Sequence, residues 1–423
     1  MVFRMTGILH YTTTTPGIGG VIKRRITDFA VREITPEWKA LENKVFGDFW
    51  PPKHEPLEIP PQPEGMDQLI VTMEKFNLDT NDALRRISRQ LRTSGKRIGY
   101  AGLKDRRAIT SQRISIWKPD IALLKRTGSL YVGLREAQWS NERIEIGSLS
   151  GNEFEIVVRE IGIQEGELKK RADECFAQMK SGVANYFGEQ RFGGNREVTH
   201  LVGKQFVKGN IEGAVMLYLT HPSNGEEEQI AAARKNLADT GDVARALKEF
   251  PHKFRYELAI LNHLVKVPKD FVGGFQGLPK HLRYLFTHAY QSYLFNLVIN
   301  ERIERGIGIN KTGGDILEDG IPTAPLFGFD SVLPDGKAGE IERAVMKKEG
   351  VELEEFRVKS FPELGCSGAR KKIALVPQQL KIISIEKDEL AEGKLKMKIS
   401  FRLDKGNYAT TILRELMKNP NAR

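Results

Sequence analysis

Gly99-Tyr100-Ala101-Gly102-Leu103-Lys104-Asp105-Arg106-Arg107-Ala108-Ile109-Thr110-Ser111-Gln112 runs past two glycines to one aspartate and on into Arg113-Ile114-Ser115-Ile116, whose alternation is that of a strand. Asp105 stands among Lys104, Arg106 and Arg107. Nearby cations favour an ionised carboxylate, the form a nucleophile or general base needs. Thr110, Ser111 and Gln112 add uncharged hydrogen-bonding groups. Local spacing alone leaves two readings open, a catalytic carboxylate or a solvated counterion in a basic turn.

Upstream, Leu78 to Gly95 has the spacing of a helix. Asp79 or Thr80 caps it, Leu84, Ile87 and Leu91 recur on one face, and Gly95 closes it. Arg85, Arg86, Arg89 and Arg92 mark the other face, with no acidic residue after Asp82. That is either a solvated surface or a stripe facing phosphates. Asp28-Phe29-Ala30-Val31-Arg32-Glu33-Ile34 predicts a half-buried strand, and Asn152 to Val158 another, with Phe154, Ile156 and Val158 on one side. Glu165 to Lys180 predicts an amphipathic helix with Leu168, Ala172, Cys175, Phe176 and Met179 inward.

The middle changes character. Phe206 to Phe250 is helical and charged, His281 to Arg305 is a longer helix rich in aromatic residues, and Glu340 to Phe356 is again helical. Strand patterns return at Lys381 to Ile385 and Lys396 to Leu403, and a helix over Ala409 to Met417 follows. Strands, then helices, then strands predict an α+β domain interrupted by an insertion.

A chain of 423 residues with 40% hydrophobic content can bury two cores. A net charge of +10 favours a polyanionic partner, because each neutralised phosphate releases counterions. Two cysteines, Cys175 and Cys366, suggest neither a disulfide framework nor a zinc site. There is no apolar run near the roughly 20 residues that span a bilayer, and Met1 to Gly20 has no secretory pattern. A cytoplasmic protein without membrane contact is expected. Gly17-Ile18-Gly19-Gly20 does not continue as a dinucleotide-binding turn, and no phosphate-binding Gly-Lys-Ser/Thr loop, metal-binding His-Glu-x-x-His or Gly-x-Ser-x-Gly elbow occurs.

Gly102 to Gln112 resembles the Gly-x-Lys-Asp-x-x-Ala-x-Thr-x-Gln motif of the TruD family of tRNA pseudouridine synthases. Further segments match in the family's order: Lys23 with Asp28-Phe29-x-Val31, Leu149-Ser150-Gly151-Asn152-Glu153-Phe154, Asn185 to Gly193, and Phe401 to Leu416. Three positions depart from the pattern: Thr27 where Glu is frequent, Asp404 where Pro is common, and Tyr408 where Phe is frequent.

The resemblance implies a pseudouridine synthase catalytic domain with a mixed, mainly antiparallel sheet, interrupted by a helix-rich α/β insertion (TRUD) domain. The expected divisions are 1–185 and 377–423 for the catalytic domain and 186–376 for the insertion. It implies isomerisation of uridine to pseudouridine, typically at position 13 of tRNA, with tRNA as partner, no metal or organic cofactor, and a monomeric enzyme. Asp105 matches the catalytic aspartate and Lys23 a basic position close to it. Phe29, Asn152, Phe154, Tyr408, Gln190 and Arg191 match substrate-binding positions. A tRNA-binding or RNA-folding protein without catalysis is the competing function. A methyltransferase, suggested by Gly313-Gly314-Asp315, lacks a nucleotide-binding strand–turn–helix.

Overall fold

The structure, a computed structural model, describes residues 6–47, 52, 54–223 and 225–419. It divides into two compact units. One comprises Met1–Thr12 and Val183–Leu375, the other Thr13–Gly182 and Val376–Arg423.

The first part of the sheet unit supplies strands β1 (Phe29–Ile34), β2 (Gln68–Phe76), β3 (Ile98–Tyr100), β4 (Ile109–Trp117), β5 (Val132–Ser140) and β6 (Gly151–Ile161). Its helices are α1 (Thr80–Gln90), α2 (Ile121–Leu124) and α3 (Glu165–Met179). The Asp79 carboxylate caps α1 by accepting from the Asn81 N–H at 2.8 Å. The helix stops well before Gly95, where the spacing had placed its end. Arg92 takes a left-handed φ of 49°, and Ser94 starts a separate 3₁₀ turn at Gly95–Arg97. Ala83, Leu84, Ile87 and Leu91 share a core with Leu69, Val71 and Met73 of β2 and Ile114 and Ile116 of β4, so α1 packs on the sheet. The inward residues expected of α3 are all buried, Cys175 among them.

The helical unit follows with β7 (Val183–Ala184), α4 (Thr199–Val207), α5 (Ile211–Thr220), α6 (Glu228–Thr240), α7 (Val243–Glu249), α8 (Arg255–Lys266), α9 (Phe271–Gln276) and α10 (Lys280–Glu304). After these come β8 (Leu317–Glu318), β9 (Ile321–Leu326), α11 (Gly336–Glu349), β10 (Ala369–Lys372) and β11 (Ala374–Leu375). Phe286, Tyr290 and Phe295 of α10 lie in its core. The helix expected to reach Phe356 breaks at Gly350, whose φ of 63° ends α11. The segment ending at Thr12, assigned from sequence to residues 1–185, goes with this unit. Asn296 and Asn300 of α10 each donate a side-chain amide at 2.9 Å, to the carbonyls of Thr6 and Gly7, and the Ala184 N–H donates to Thr12 Oγ1 at 2.9 Å. Asparagines inside a core helix thus meet the backbone polarity that a segment outside any helix or strand brings with it.

The chain returns to the sheet unit for β12 (Gln378–Lys387), β13 (Leu395–Asp404) and α12 (Ala409–Met417). The strand order is β12-β13-β6-β1-β4-β2-β5, with β3 also paired to β4. Only the β1–β4 pairing is parallel, so the fold is α+β with a mixed, mainly antiparallel sheet. β1 is central, between β6 and β4. Phe29, Val31 and Glu33 on one face and Ala30 and Ile34 on the other are all buried, so the sheet is covered on both sides here and burial does not alternate as in a half-buried strand.

Candidate active site

Pairing register decides which side chains meet. Val31 lies opposite Phe154 and Thr110, Glu33 opposite Asn152, Phe401 opposite Phe154, and Lys75 opposite Thr110. Directly opposed residues share a face and residues two apart repeat it. One face of the sheet therefore carries Phe29, Glu33, Lys75, Thr110, Asn152, Phe154 and Phe401.

Above this face runs the loop between β3 and β4 that bears Asp105. Four side chains hold it. Lys75 Nζ donates to the Asp105 carbonyl at 2.7 Å and reaches that of Lys104 at 3.4 Å. Thr80 Oγ1, in the first turn of α1, accepts from the Lys104 N–H at 3.0 Å. Gln112 Nε2 donates to the Gly102 carbonyl at 3.0 Å. Lys104 Nζ forms an ion pair with Glu33 Oε2 at 2.9 Å, with side chains only 4% and 1% exposed. Lys104 therefore turns inward to Glu33 and Asp105 outward, its side chain 40% exposed. The cation facing Asp105 is not its chain neighbour Lys104 but Lys23, whose Nζ lies 3.0 Å from Oδ1. Lys23 has a φ of 59°, a strained conformation for a side-chain-bearing residue, and its Nζ sits 4.0 Å from the Phe29 ring centroid. Lys75 is fully buried, and burial pushes its ammonium down to about 8, partly opposed by Asp105 and Asp79.

Phe29 and Phe154 do not offer open stacking surfaces. They are 1% and 5% exposed and meet edge to face at 6.3 Å, and Phe154 stacks on Phe401 at 5.3 Å. The Lys23 ammonium lies over Phe29, and Phe154 extends this buried aromatic floor from the ring beside it. Tyr408, at 52%, is the exposed aromatic of the set. It precedes α12, just past the end of β13, where Asp404 pairs with Gly151 and Leu403 with Asn152. Gly151 is needed there, since a Cβ would come within 2.2 Å of the Leu403 carbonyl oxygen. The Asn152 amide oxygen is buried and has no hydrogen-bond partner among the described residues. Of the three polar residues after Asp105, Gln112 braces the loop. Thr110 Oγ1 is buried without a partner among the described residues, and Ser111 bonds to the Glu42 carbonyl at 2.9 Å.

Gln190 and Arg191 lie in the other unit, in the 3₁₀ turn Glu189–Phe192. Arg191 Nε donates to Ser292 Oγ at 3.1 Å, and its guanidinium and the Lys371 ammonium both lie over the Phe187 ring, at 5.8 and 5.2 Å. The sequence reading missed Glu33, Lys75 and Phe401. A signal was present for the first two: each is a charge in the inward register of an apolar strand, Glu33 with Phe29 and Val31, Lys75 with Leu69, Val71 and Met73.

Fold and site together define an α+β protein with an accessible carboxylate–ammonium pair over a buried aromatic floor. The comparisons give that class a family. The model described as tRNA pseudouridine synthase D (TruD) matches residues 5–320 and 317–416, and the chain belongs to that family. A protein of Methanococcoides burtonii named "Probable tRNA pseudouridine synthase D" is 38% identical over 451 residues, covering 99% of this chain and 97% of its own. One of the same name from Methanopyrus kandleri is 40% identical over 349 residues, covering 82% and 84%. The crystal structure of a Methanosarcina mazei protein assigned to tRNA pseudouridine synthase D superposes with a TM-score of 0.80 at 36% identity, covering 99% of this chain and 98% of the other.

Proposed function

We propose that this protein converts uridine to pseudouridine in tRNA, at position 13, with Asp105 acting on a uridine flipped out of its stack. The observation that carries the reading is the Asp105 carboxylate, open to a substrate and held 3.0 Å from Lys23. Family membership supports the substrate class.

A base inside folded RNA is out of reach of a side chain, so the nucleotide must first turn out, which requires a few kcal/mol. Tyr408 is exposed and supplies a surface on which a base can stack. Asn152 suits the edge of uracil, which presents an N–H between two carbonyls. Asp105 then breaks the N1–C1′ bond by one of two routes. It attacks C1′ to give a glycosyl ester, or it removes the C2′ proton to give a glycal. Both use the ionised carboxylate. The released uracil anion rotates, and C5 bonds to C1′ as the Asp105–C1′ ester bond breaks or, from the glycal, as Asp105 returns its proton to C2′; C5 then loses its proton and N1 takes one up. Lys23 sits 3.0 Å from the carboxylate, and Lys75, Thr80 and Gln112 hold the backbone of the loop that carries it.

The test is pseudouridine mapping of unmodified tRNA transcripts after incubation with the protein. Conversion at position 13 is expected, and Asp105→Asn should abolish it with tRNA affinity retained. A folded Asp105→Asn protein with full turnover removes Asp105 from the role, and tRNA binding without conversion by the unaltered protein rejects the enzymatic reading.

A further inference from the structure

The exposed face of α1 and the residues just past it carry a run of positive charge. Arg85, Arg86 and Arg89 are exposed on α1, and Arg92 is exposed just past its end at Gln90. Arg85 forms an ion pair with Asp82. Among the described residues, none of Arg86, Arg89, Arg92 and Lys96 has an ion-pair partner. Within α1, Arg89 stands three residues from Arg86 and four from Arg85, a like-charge spacing that slightly disfavours a helix and that an anion lying along the face offsets.

Aromatic residues stand at both ends of this strip. At one, the Arg86 guanidinium lies 5.5 Å from the Tyr131 ring centroid, and Tyr131 is exposed. At the other, the 3₁₀ turn after α1 brings Arg97 within 4.8 Å of the ring of exposed Trp117, which Lys118 approaches from 5.4 Å. The ends are well separated. The Tyr131 carbonyl accepts from Phe76 at one end of β2, while Trp117 pairs with Gln68 at the other. Eight strand residues put them about 25 Å apart. A row of cations ending in exposed rings suits a polyanion that also has bases to stack, which distinguishes RNA from an anionic lipid surface.

We infer that the basic strip along α1, from Arg86 to Arg97, is a docking track for the RNA backbone flanking the target uridine. The helix that carries the track starts at the Asp105 loop: Thr80, in the first turn of α1, accepts from the Lys104 N–H. RNA lying on the strip is thus tied through one helix to the loop that holds the carboxylate. The inference rests on the tRNA reading above and extends it to a surface that makes no contact with the reacting base.

The test compares the unaltered protein with Arg86→Gln/Arg89→Gln/Arg92→Gln/Lys96→Gln. Filter binding to a tRNA transcript over a series of salt concentrations, and initial rates of pseudouridine formation, are measured for both. In the variant, the slope of log affinity against log salt should become shallower by about 3, from roughly 0.7–0.9 per phosphate contact. KM should rise about tenfold or more. The rate at saturating tRNA should be unchanged and the melting temperature no lower. The lysine set Arg86→Lys/Arg89→Lys/Arg92→Lys should keep most of the slope, and the single variants Arg89→Gln and Arg92→Gln should each lower it if the quadruple variant folds poorly. A folded quadruple variant with unchanged slope and KM overturns the inference. So does loss of binding to phosphatidylglycerol vesicles with tRNA binding intact. If the unaltered protein neither binds nor converts tRNA, the proposed function fails instead, so the two failures are distinct.

Discussion

Lys75 is joined to Asp105 through the backbone: its Nζ donates to the Asp105 carbonyl at 2.7 Å, while the Asp105 carboxylate faces Lys23. The ammonium is fully buried. On the proposed function, Lys75 is a positioning residue that fixes where the carboxylate starts from. Lys75→Met should lower the rate at saturating tRNA by about tenfold to a hundredfold, since small misplacements of a reacting group are costly, and should leave KM nearly unchanged. A raised KM with an unchanged rate at saturating tRNA would mean that the residue serves substrate binding instead.

The same group yields a pH prediction. Burial lowers the Lys75 pKa to about 8 from an ordinary 10.5. Between those values the unfolded chain holds a proton that the folded chain has released, so stability rises with pH across that window. Below about pH 8 both states are protonated and the folded state carries the full penalty of the buried charge. The difference in unfolding free energy between the unaltered protein and Lys75→Met should therefore shift toward the unaltered protein from pH 8 to 10.5. The total shift is of the order of 3 kcal/mol. Urea melts of both proteins across that range check it, and a constant difference refutes it.

Lys23 is the cation in contact with the Asp105 carboxylate, and its ammonium also lies over Phe29. Lys23→Met removes both interactions without touching the loop's backbone anchors. Single-turnover rates should fall on the order of a hundredfold, as they do when one preorganised electrostatic partner is removed, and Lys23→Arg should recover part of the loss. A Lys23→Met protein with an unaltered rate would show that the ion pair is incidental to the chemistry.

The ion pair between Lys104 and Glu33 is a structural element of the site. Glu33 Oε1 also accepts from the Arg113 N–H at 3.1 Å, which ties β1 to β4. Lys104→Met strands a buried carboxylate and should destabilise the protein by about 3–5 kcal/mol. Lys104→Met combined with Glu33→Gln should restore much of that, because no uncompensated charge remains. Denaturant midpoints of the single and double variants decide the matter, and additive losses would mean the two residues do not act as a pair.

These residues mark where sequence reading reached and where it stopped. Periodicity located α3, α12 and the strands around Phe154 and Phe401, because an amphipathic pattern is written locally. It misplaced the end of α1, which depends on one backbone angle at Arg92, and the burial of β1, which depends on cover over both faces of the sheet. The charge around Asp105 looked like a cluster of chain neighbours. In three dimensions adjacent residues point apart, so Lys104 serves Glu33 and a residue far upstream serves Asp105. Lys75 and Glu33 were visible as charges in apolar registers, but only strand pairing shows what they face.

Tyr408 offers the sharpest distinction between floor and platform. Phe29 and Phe154 are buried, so truncating either should act mainly through stability. Tyr408 is exposed, and a side chain that makes few internal contacts can be truncated with little effect on folding. If a flipped base stacks on it, Tyr408→Ala should reduce kcat/KM by about 1–3 kcal/mol in transition-state terms, with a melting temperature close to that of the unaltered protein. Tyr408→Phe keeps the ring and should keep most of the activity, since stacking needs the aromatic face and not the hydroxyl. Steady-state kinetics on a tRNA transcript for both variants, alongside thermal melts, separate the possibilities. Full activity in Tyr408→Ala would remove Tyr408 from the base-binding surface, and loss in Tyr408→Phe equal to that in Tyr408→Ala would assign the contribution to the hydroxyl.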